Sequence, residues 1–188
     1  CSWSRGLGDV YKRQIMHKIS GVFSAALTPV KSDLSINKDL YLRHCQYLMR
    51  EGHDGLAIFG TTGEANSFSV QEKKDHIDFL ISNRIDPKIL MPGTGSSSLK
   101  EAIDMTKHAS SHKVRAVLLL PPFYYKNVTD EGVINYYRHL IENVGDSELH
   151  YVLYHIPQNT YVPISFKTIE TLLKSVSYTH LRAHETMS

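Results

Sequence analysis

The chain is poor in cysteine, has a single tryptophan and contains no long hydrophobic run. Cys1 and Cys45 are its two thiols. Two cysteines make no disulfide framework, so a buried apolar core has to hold the fold, and a reduced, cytoplasmic setting is expected. The longest apolar stretch, Gly21 to Val30, is interrupted. It falls well short of the roughly 20 residues that a spanning helix needs, so no membrane partner is expected. No apolar segment follows the charges near the N-terminus, and no secretory signal is expected. With 188 residues, 41% hydrophobic and 21% charged, the composition is that of one globular domain.

A strong charge of one sign is also missing. The 21 Lys and Arg nearly balance the 19 Asp and Glu, and the small excess sits at the ends. Residues Arg5 to Gln14 back-translate into a DNA segment whose reverse complement, read in a shifted frame, encodes Val176 to His184. One DNA segment in inverted orientation thus accounts for both termini, which resemble translated sequencing-adapter sequence. Residues 1–14 and 175–188 are therefore expected to be non-native flanks, leaving 15–174 as the folding unit. Without Arg5, Lys12, Arg13, Arg182, Asp9 and Glu185, 17 charges of each sign remain. Such a balance carries no electrostatic footprint for nucleic acid.

Within 15–174, short apolar or β-branched runs at 22–28, 55–59, 88–92, 116–120 and 151–154 alternate with amphipathic stretches. Asn37 can cap a helix bearing Leu40, Tyr41, His44, Tyr47 and Leu48. Ser69 with Glu72, and Ser98 with Glu101, have the spacing of capping boxes, and Thr129 and Ser165 open two further helical patterns. Apolar strands without strict alternation, each followed by a helix, indicate a parallel sheet covered by helices. A doubly wound sheet wants a glycine-rich phosphate turn after its first strand, and Leu27-Thr28-Pro29-Val30 is not one. The polar residues instead follow several different strands, as in a (β/α)8 TIM barrel, whose active site collects the C-terminal strand ends. A whole barrel takes roughly 250 residues. The expected fold is therefore α/β, a TIM (β/α)8 barrel truncated after about five β/α units.

Three strand ends carry groups that chemistry could use. After the second strand, Gly60-Thr61-Thr62-Gly63-Glu64 sets two hydroxyls between two glycines. Such a turn can aim backbone N–H groups and hydroxyls at one small anion, or it can be a capped loop whose glycines only relieve strain. After the fourth comes Pro121-Pro122-Phe123-Tyr124-Tyr125. Its tyrosines can pack, form a subunit contact or relay a proton. After the fifth, Tyr154-His155-Ile156-Pro157 would point Tyr154 into the barrel mouth and His155 away from it, towards a helix.

These motifs, with Thr28-Pro29 at the end of the first strand, occur in an order that resembles the pyruvate-dependent class I aldolases typified by dihydrodipicolinate synthase and N-acetylneuraminate lyase. The resemblance covers essentially all of residues 15–174. It implies a Schiff-base lyase or aldolase of a small 2-oxo acid, without a cofactor or metal, working as a homo-oligomer (a dimer or tetramer). A lysine amine attacks the substrate ketone, and the resulting iminium is the electron sink for an enamine. By position, Thr61 and Thr62 would hold the substrate carboxylate. Thr62 would link Tyr154, the proton shuttle, to Tyr124, the tyrosine donated across a dimer interface, with Tyr125 the second choice for that role.

Two departures from the family pattern stand out. The family's lysine ends strand six, beyond the fifth helix, and Lys174 in that helix does not replace it, so the chain as given is expected to be inactive. Asn159 stands at a substrate-binding position where the synthases carry an arginine, and an amide does not make that charged fork. Tyr161 stands where a glycine is usual. A lyase or aldolase of another 2-oxo acid thus fits as well as a strict synthase, and a non-catalytic or regulatory barrel binding a small carboxylate is the alternative. Metal-dependent aldolases are disfavoured, since His and acidic residues do not cluster at the strand ends. His108 and His112 have i,i+4 spacing but sit in a last helical turn beside Lys107 and Lys113, which reads as a solvent-facing pair. Cys45 falls on the apolar side of the first helix, as an inert core thiol would.

Overall fold

Parallel pairing organises the chain. The computed structural model describes residues 19–175 and the backbone of 180–185. Strand β1 (Phe23–Ala25) pairs with β2 (Gly55–Ala57), and β3 (Ala116–Leu119) with β4 (His150–His155), all in parallel. The strand expected over 88–92 is reduced to a connector. Leu90 bridges Leu56 on one side, and Gly93 bridges Leu118 on the other. The Met91 amide donates to the Leu56 carbonyl at 2.9 Å, Gly93 to Ile58 at 2.8 Å, and Leu118 to Pro92 at 2.9 Å. Pro92 has no N–H of its own to give, which accounts for a ladder of single bridges in place of a continuous strand.

One strand appears where the sequence reading places none. β5 (His180–Glu185) lies parallel to β4, from His150 opposite His180 to His155 opposite Glu185. Pairing runs through backbone groups, so a free strand edge accepts an extended neighbour whatever its side chains are.

Helices follow the strands: α1 (Lys38–Arg50), α2 (Val70–Ser82), α3 (Leu99–Ser111), α4 (Asp130–Val144), the single turn α5 (Pro157–Thr160) and α6 (Phe166–Ser175). Asn37, Ser69, Ser98 and Thr129 cap the first four as expected. The box at Ser69 closes from both sides. That at Ser98 does not, because the Glu101 carboxylate accepts the Ser96 hydroxyl at 2.9 Å instead. On α1, Tyr41 and Cys45 are buried, while Leu40 and Tyr47 stand 45% and 50% exposed, so the buried face is rotated from the expected one. Burial pushes the Cys45 thiol up to about 12, in keeping with an inert core residue. Among the described residues no helix is long and apolar enough to cross a membrane.

The two faces of the sheet differ in kind, and this decides the architecture. Leu56, Ile58, Leu90, Val117, Leu119, Tyr151 and Leu153 join one large apolar cluster with Tyr41, Ile77, Met105, Leu140 and Leu172 of the helices. The alternate residues Ala57, Met91, Ala116, Leu118 and Val152 form a second cluster with Ile19, and no helix residue enters it. A doubly wound sheet would carry helices on both faces. Helices on one face and a small strand-lined core on the other are the layers of a (β/α)8 barrel, here unclosed.

Two outcomes test this packing. A Cβ at Gly93 would stand 2.0 Å from the Phe59 carbonyl oxygen. Gly93→Ala is expected to cost about 3 kcal/mol or more, read as a lower urea midpoint; an unchanged midpoint contradicts the joint. On α2, Lys73 is 6% exposed, and burial holds its ammonium below the usual 10.5, with Glu101 opposing the shift. A base depressed in the folded state binds its proton more tightly when unfolded. Its penalty is therefore full below the folded value and gone above the unfolded one. Lys73→Met is expected to raise the melting temperature at pH 7, with the gain shrinking as the pH approaches 10.5; a gain that stays constant with pH contradicts the assignment.

Candidate active site

The turn after β2 is held from below and open above. Phe59 and Glu64 bracket it in the left-handed region, with φ 53° and 50°, a conformation that L residues adopt at a cost. Inside it, the Glu64 amide donates to the Thr61 carbonyl at 3.0 Å, and Ala65 to Gly60 at 3.2 Å. Gly63 is buried beneath Thr28, where a Cβ would lie 2.9 Å from the Ala26 carbonyl oxygen. The Thr28 hydroxyl donates to the Gly63 carbonyl at 2.8 Å and so locks the turn to the end of β1. This leaves Thr61 and Thr62 exposed. The amides of Thr61, Thr62 and Gly63 make no hydrogen bond among the described residues. Three unengaged amide donors thus lie beside two exposed hydroxyls.

Tyr154 stands at the C-terminal end of β4. It is half-buried and packs against the strand-lined cluster of Leu118 and Val152, on the barrel-interior face. Gly60 faces the same residue, its Cβ position lying 3.7 Å from Leu118. His155, the next residue, turns the other way, and its Nδ1 accepts the Ile164 amide at 3.1 Å. Asn159 is exposed on α5. Tyr161 ends that turn with φ 55°, the left-handed backbone that suits glycine, so the departure at this position keeps the glycine conformation. The Lys126 ammonium lies 5.2 Å from the centre of the Tyr161 ring. It also donates to the Phe123 carbonyl at 2.5 Å and to Thr160 at 3.3 Å, strapping the loop after β3 to the loop after β4. Sequence reasoning missed Lys126, because no spacing rule links it to residues 160 and 161.

Among the described residues, Tyr124 hydrogen-bonds to none of the other expected site residues. Its ring is 72% exposed and stacks edge-on against Tyr125 with centroids 5.1 Å apart, while its amide donates to the Ser97 hydroxyl at 3.1 Å. No hydrogen bond ties its hydroxyl to Thr62 among the described residues. Tyr124 also borders a cavity of about 550 Å³ whose wall includes Ala65, Lys73, Ser97 and Glu101, on the helix side of the Gly60–Glu64 turn. Behind this wall the Tyr136 hydroxyl donates to the Ser96 carbonyl. Lys73 and the serine loop were not expected from the sequence, although the paired glycines Gly93 and Gly95 mark the loop's start. At the strand ends, no trio of His, Cys, Asp or Glu converges among the described residues.

This arrangement has relatives. The dihydrodipicolinate synthetase family matches residues 18–179. A DapA-like lyase of uncharacterised function from Chloroflexus aurantiacus is 34% identical over 156 residues, 82% of this chain and 52% of that protein. A 4-hydroxy-tetrahydrodipicolinate synthase from Methanothrix thermoacetophila is 34% identical over 144 residues, 77% of this chain and 47% of its own length. The crystal structure of dihydrodipicolinate synthase from Agrobacterium tumefaciens superposes with a TM-score of 0.85 at 27% identity, covering 89% of this chain and 58% of that one. The chain thus spans about half the length of the curated relatives it matches. With the parallel sheet, the single helical layer and the Thr-rich turn in place, the chain belongs to the dihydrodipicolinate synthetase family.

Proposed function

We propose that the chain carries the carboxylate-binding and proton-shuttling part of a Schiff-base lyase or aldolase for pyruvate or a related 2-oxo acid. The observation that carries this reading is the Gly60–Glu64 turn, whose free amides and two exposed hydroxyls follow β2 as Tyr154 ends β4, at the same end of a parallel sheet. A carboxylate seated on Thr61 and Thr62 would set its adjacent ketone over the interior, within the province of Tyr154. In such a reaction a lysine amine adds to the ketone, a carbinolamine loses water, and the iminium then accepts electrons from the neighbouring bond. Tyr154 is assigned the protons of these steps, and Thr62 their relay. Tyr124, exposed in the single chain, is assigned to the site of a second subunit, in a whole protein proposed to be a dimer or tetramer.

The nucleophile is assigned to the rest of the protein. β5 occupies the position next to β4, and its sequence His180-Leu181-Arg182-Ala183-His184-Glu185 has no lysine. The second reading is a barrel that binds a small carboxylate without catalysis. Asn159, uncharged and exposed, favours a lyase or aldolase for another 2-oxo acid over a strict synthase.

Borohydride separates these readings. A longer protein that continues into a lysine-bearing sixth strand is expected to trap pyruvate as a covalent secondary amine, whereas the present chain is expected to trap none. No adduct in the longer protein contradicts the lyase reading and favours the binding barrel. In that protein Tyr154→Phe is expected to lower kcat by about 100-fold or more with little change in KM, while Thr61→Val is expected chiefly to raise KM. An unaltered kcat in Tyr154→Phe contradicts the shuttle.

A further inference from the structure

Helices α2 and α3 lie side by side on the outer layer, tied by Lys74 and Asp104 at 2.5 Å. One turn further toward their C-terminal ends the contact changes character. His108 and His112, four residues apart on α3, each place Nε2 2.7 Å from the same atom, Oδ1 of Asp78 on α2. Their rings meet edge to face with centroids 4.9 Å apart, and the three potential ligand atoms all lie within 4.8 Å of one another. Spacing alone makes this histidine pair a solvent-facing one. Asp78, 30 residues away, is the partner that only the fold supplies.

We propose that Asp78, His108 and His112 form a binding site for a divalent transition-metal ion, typified by Zn²⁺. Two imidazole nitrogens and a carboxylate oxygen are a donor set that this ion takes, at about 2.0–2.2 Å. Around a tetrahedral ion such donors stand about 3.3 Å apart. The two 2.7 Å contacts would open by well under an ångström, within the freedom of side chains that are 20%, 28% and 50% exposed. Both Nε2 atoms already point at one carboxylate oxygen, so an ion seated among the three atoms exchanges two hydrogen bonds for metal bonds while each imidazole keeps one proton, on Nδ1. The same exposure leaves the remaining coordination positions to water and gives the ion a path in. Carbonyls at the end of α3 add negative potential, while Lys107 and Lys113 oppose it and hold the affinity down. The site lies toward the C-terminal ends of the helices, away from the Gly60–Glu64 turn, so its role is to clamp α2 to α3.

Calorimetric titration of the whole 188-residue chain with Zn²⁺ tests this. One equivalent is expected to bind and to raise the melting temperature. Loss of an outer-shell partner costs about 10–100-fold in metal affinity, and loss of a ligand should cost at least as much. Asp78→Asn should therefore weaken binding about tenfold or more, and His108→Gln with His112→Gln should abolish it. All three positions are partly or well exposed, so the variants should keep the metal-free circular dichroism of the parent. Zn²⁺ binding that persists unchanged in the double variant, carried by other histidines, overturns the proposal, as does no binding at about 1 mM. Co²⁺ gives a reading without substitution. The intense visible bands of a four- or five-coordinate ion support the site, and an unchanged aqua-ion spectrum contradicts it.

Discussion

The approach of residues 90–93 to the end of β2 is the constraint on which the rest of the structure depends. Two pairs of strands are joined through single bridges at Leu90 and Gly93, and at Gly93 no side chain fits above the Phe59 carbonyl. The same carbonyl belongs to a residue in the left-handed region, which bends the chain out of the strand and into the Gly60–Glu64 turn. A buried Phe59 ring, set 5.8 Å from Tyr41 and 6.5 Å from Phe68, holds that bend against its backbone cost. Sheet continuity and turn geometry are therefore settled at one place.

From that joint the site follows by short steps. Gly63 sits under Thr28 because the turn descends onto the end of β1, and the Thr28 hydroxyl closes it. With its base fixed, the turn leaves Thr61 and Thr62 exposed and three amides unbonded among the described residues. Alternation along β4 does the rest, sending Tyr154 to the strand-lined interior and His155 to the Ile164 amide. Lys126 braces the neighbouring loops through two carbonyls and the Tyr161 ring. In the reading proposed above, the substrate carboxylate meets a rigid clamp, and the covalent chemistry belongs to a part of the protein beyond these strands.

Much of this was legible in the sequence, for identifiable reasons. Short apolar runs and helical patterns located β1 to β4 and the helices after them, and the caps at Asn37, Ser69 and Thr129 depend only on local chemistry. The inward direction of Tyr154 is a consequence of strand alternation. What escaped depends on contacts between distant residues. Leu40 and Tyr47 look like core in a helical projection, but the sheet takes the Tyr41–Cys45 face of α1. Glu101 has capping-box spacing, yet Ser96 competes for it through a loop bend that spacing does not encode. The connector at 88–92 reads as a strand because its apolar content is right, and Pro92 breaks the ladder. Asp78 joined His108 and His112 only once α2 and α3 were packed together.

The central claim is that this chain holds a carboxylate clamp apart from the amine it serves. Pyruvate labelled with ¹³C at the ketone, titrated against the chain and followed by NMR, tests it most directly. The account predicts saturable, reversible line broadening that disappears when Thr61 and Thr62 are both replaced by valine, with no iminium resonance. An iminium signal from a lysine of this chain, or binding that ignores the double replacement, would contradict it.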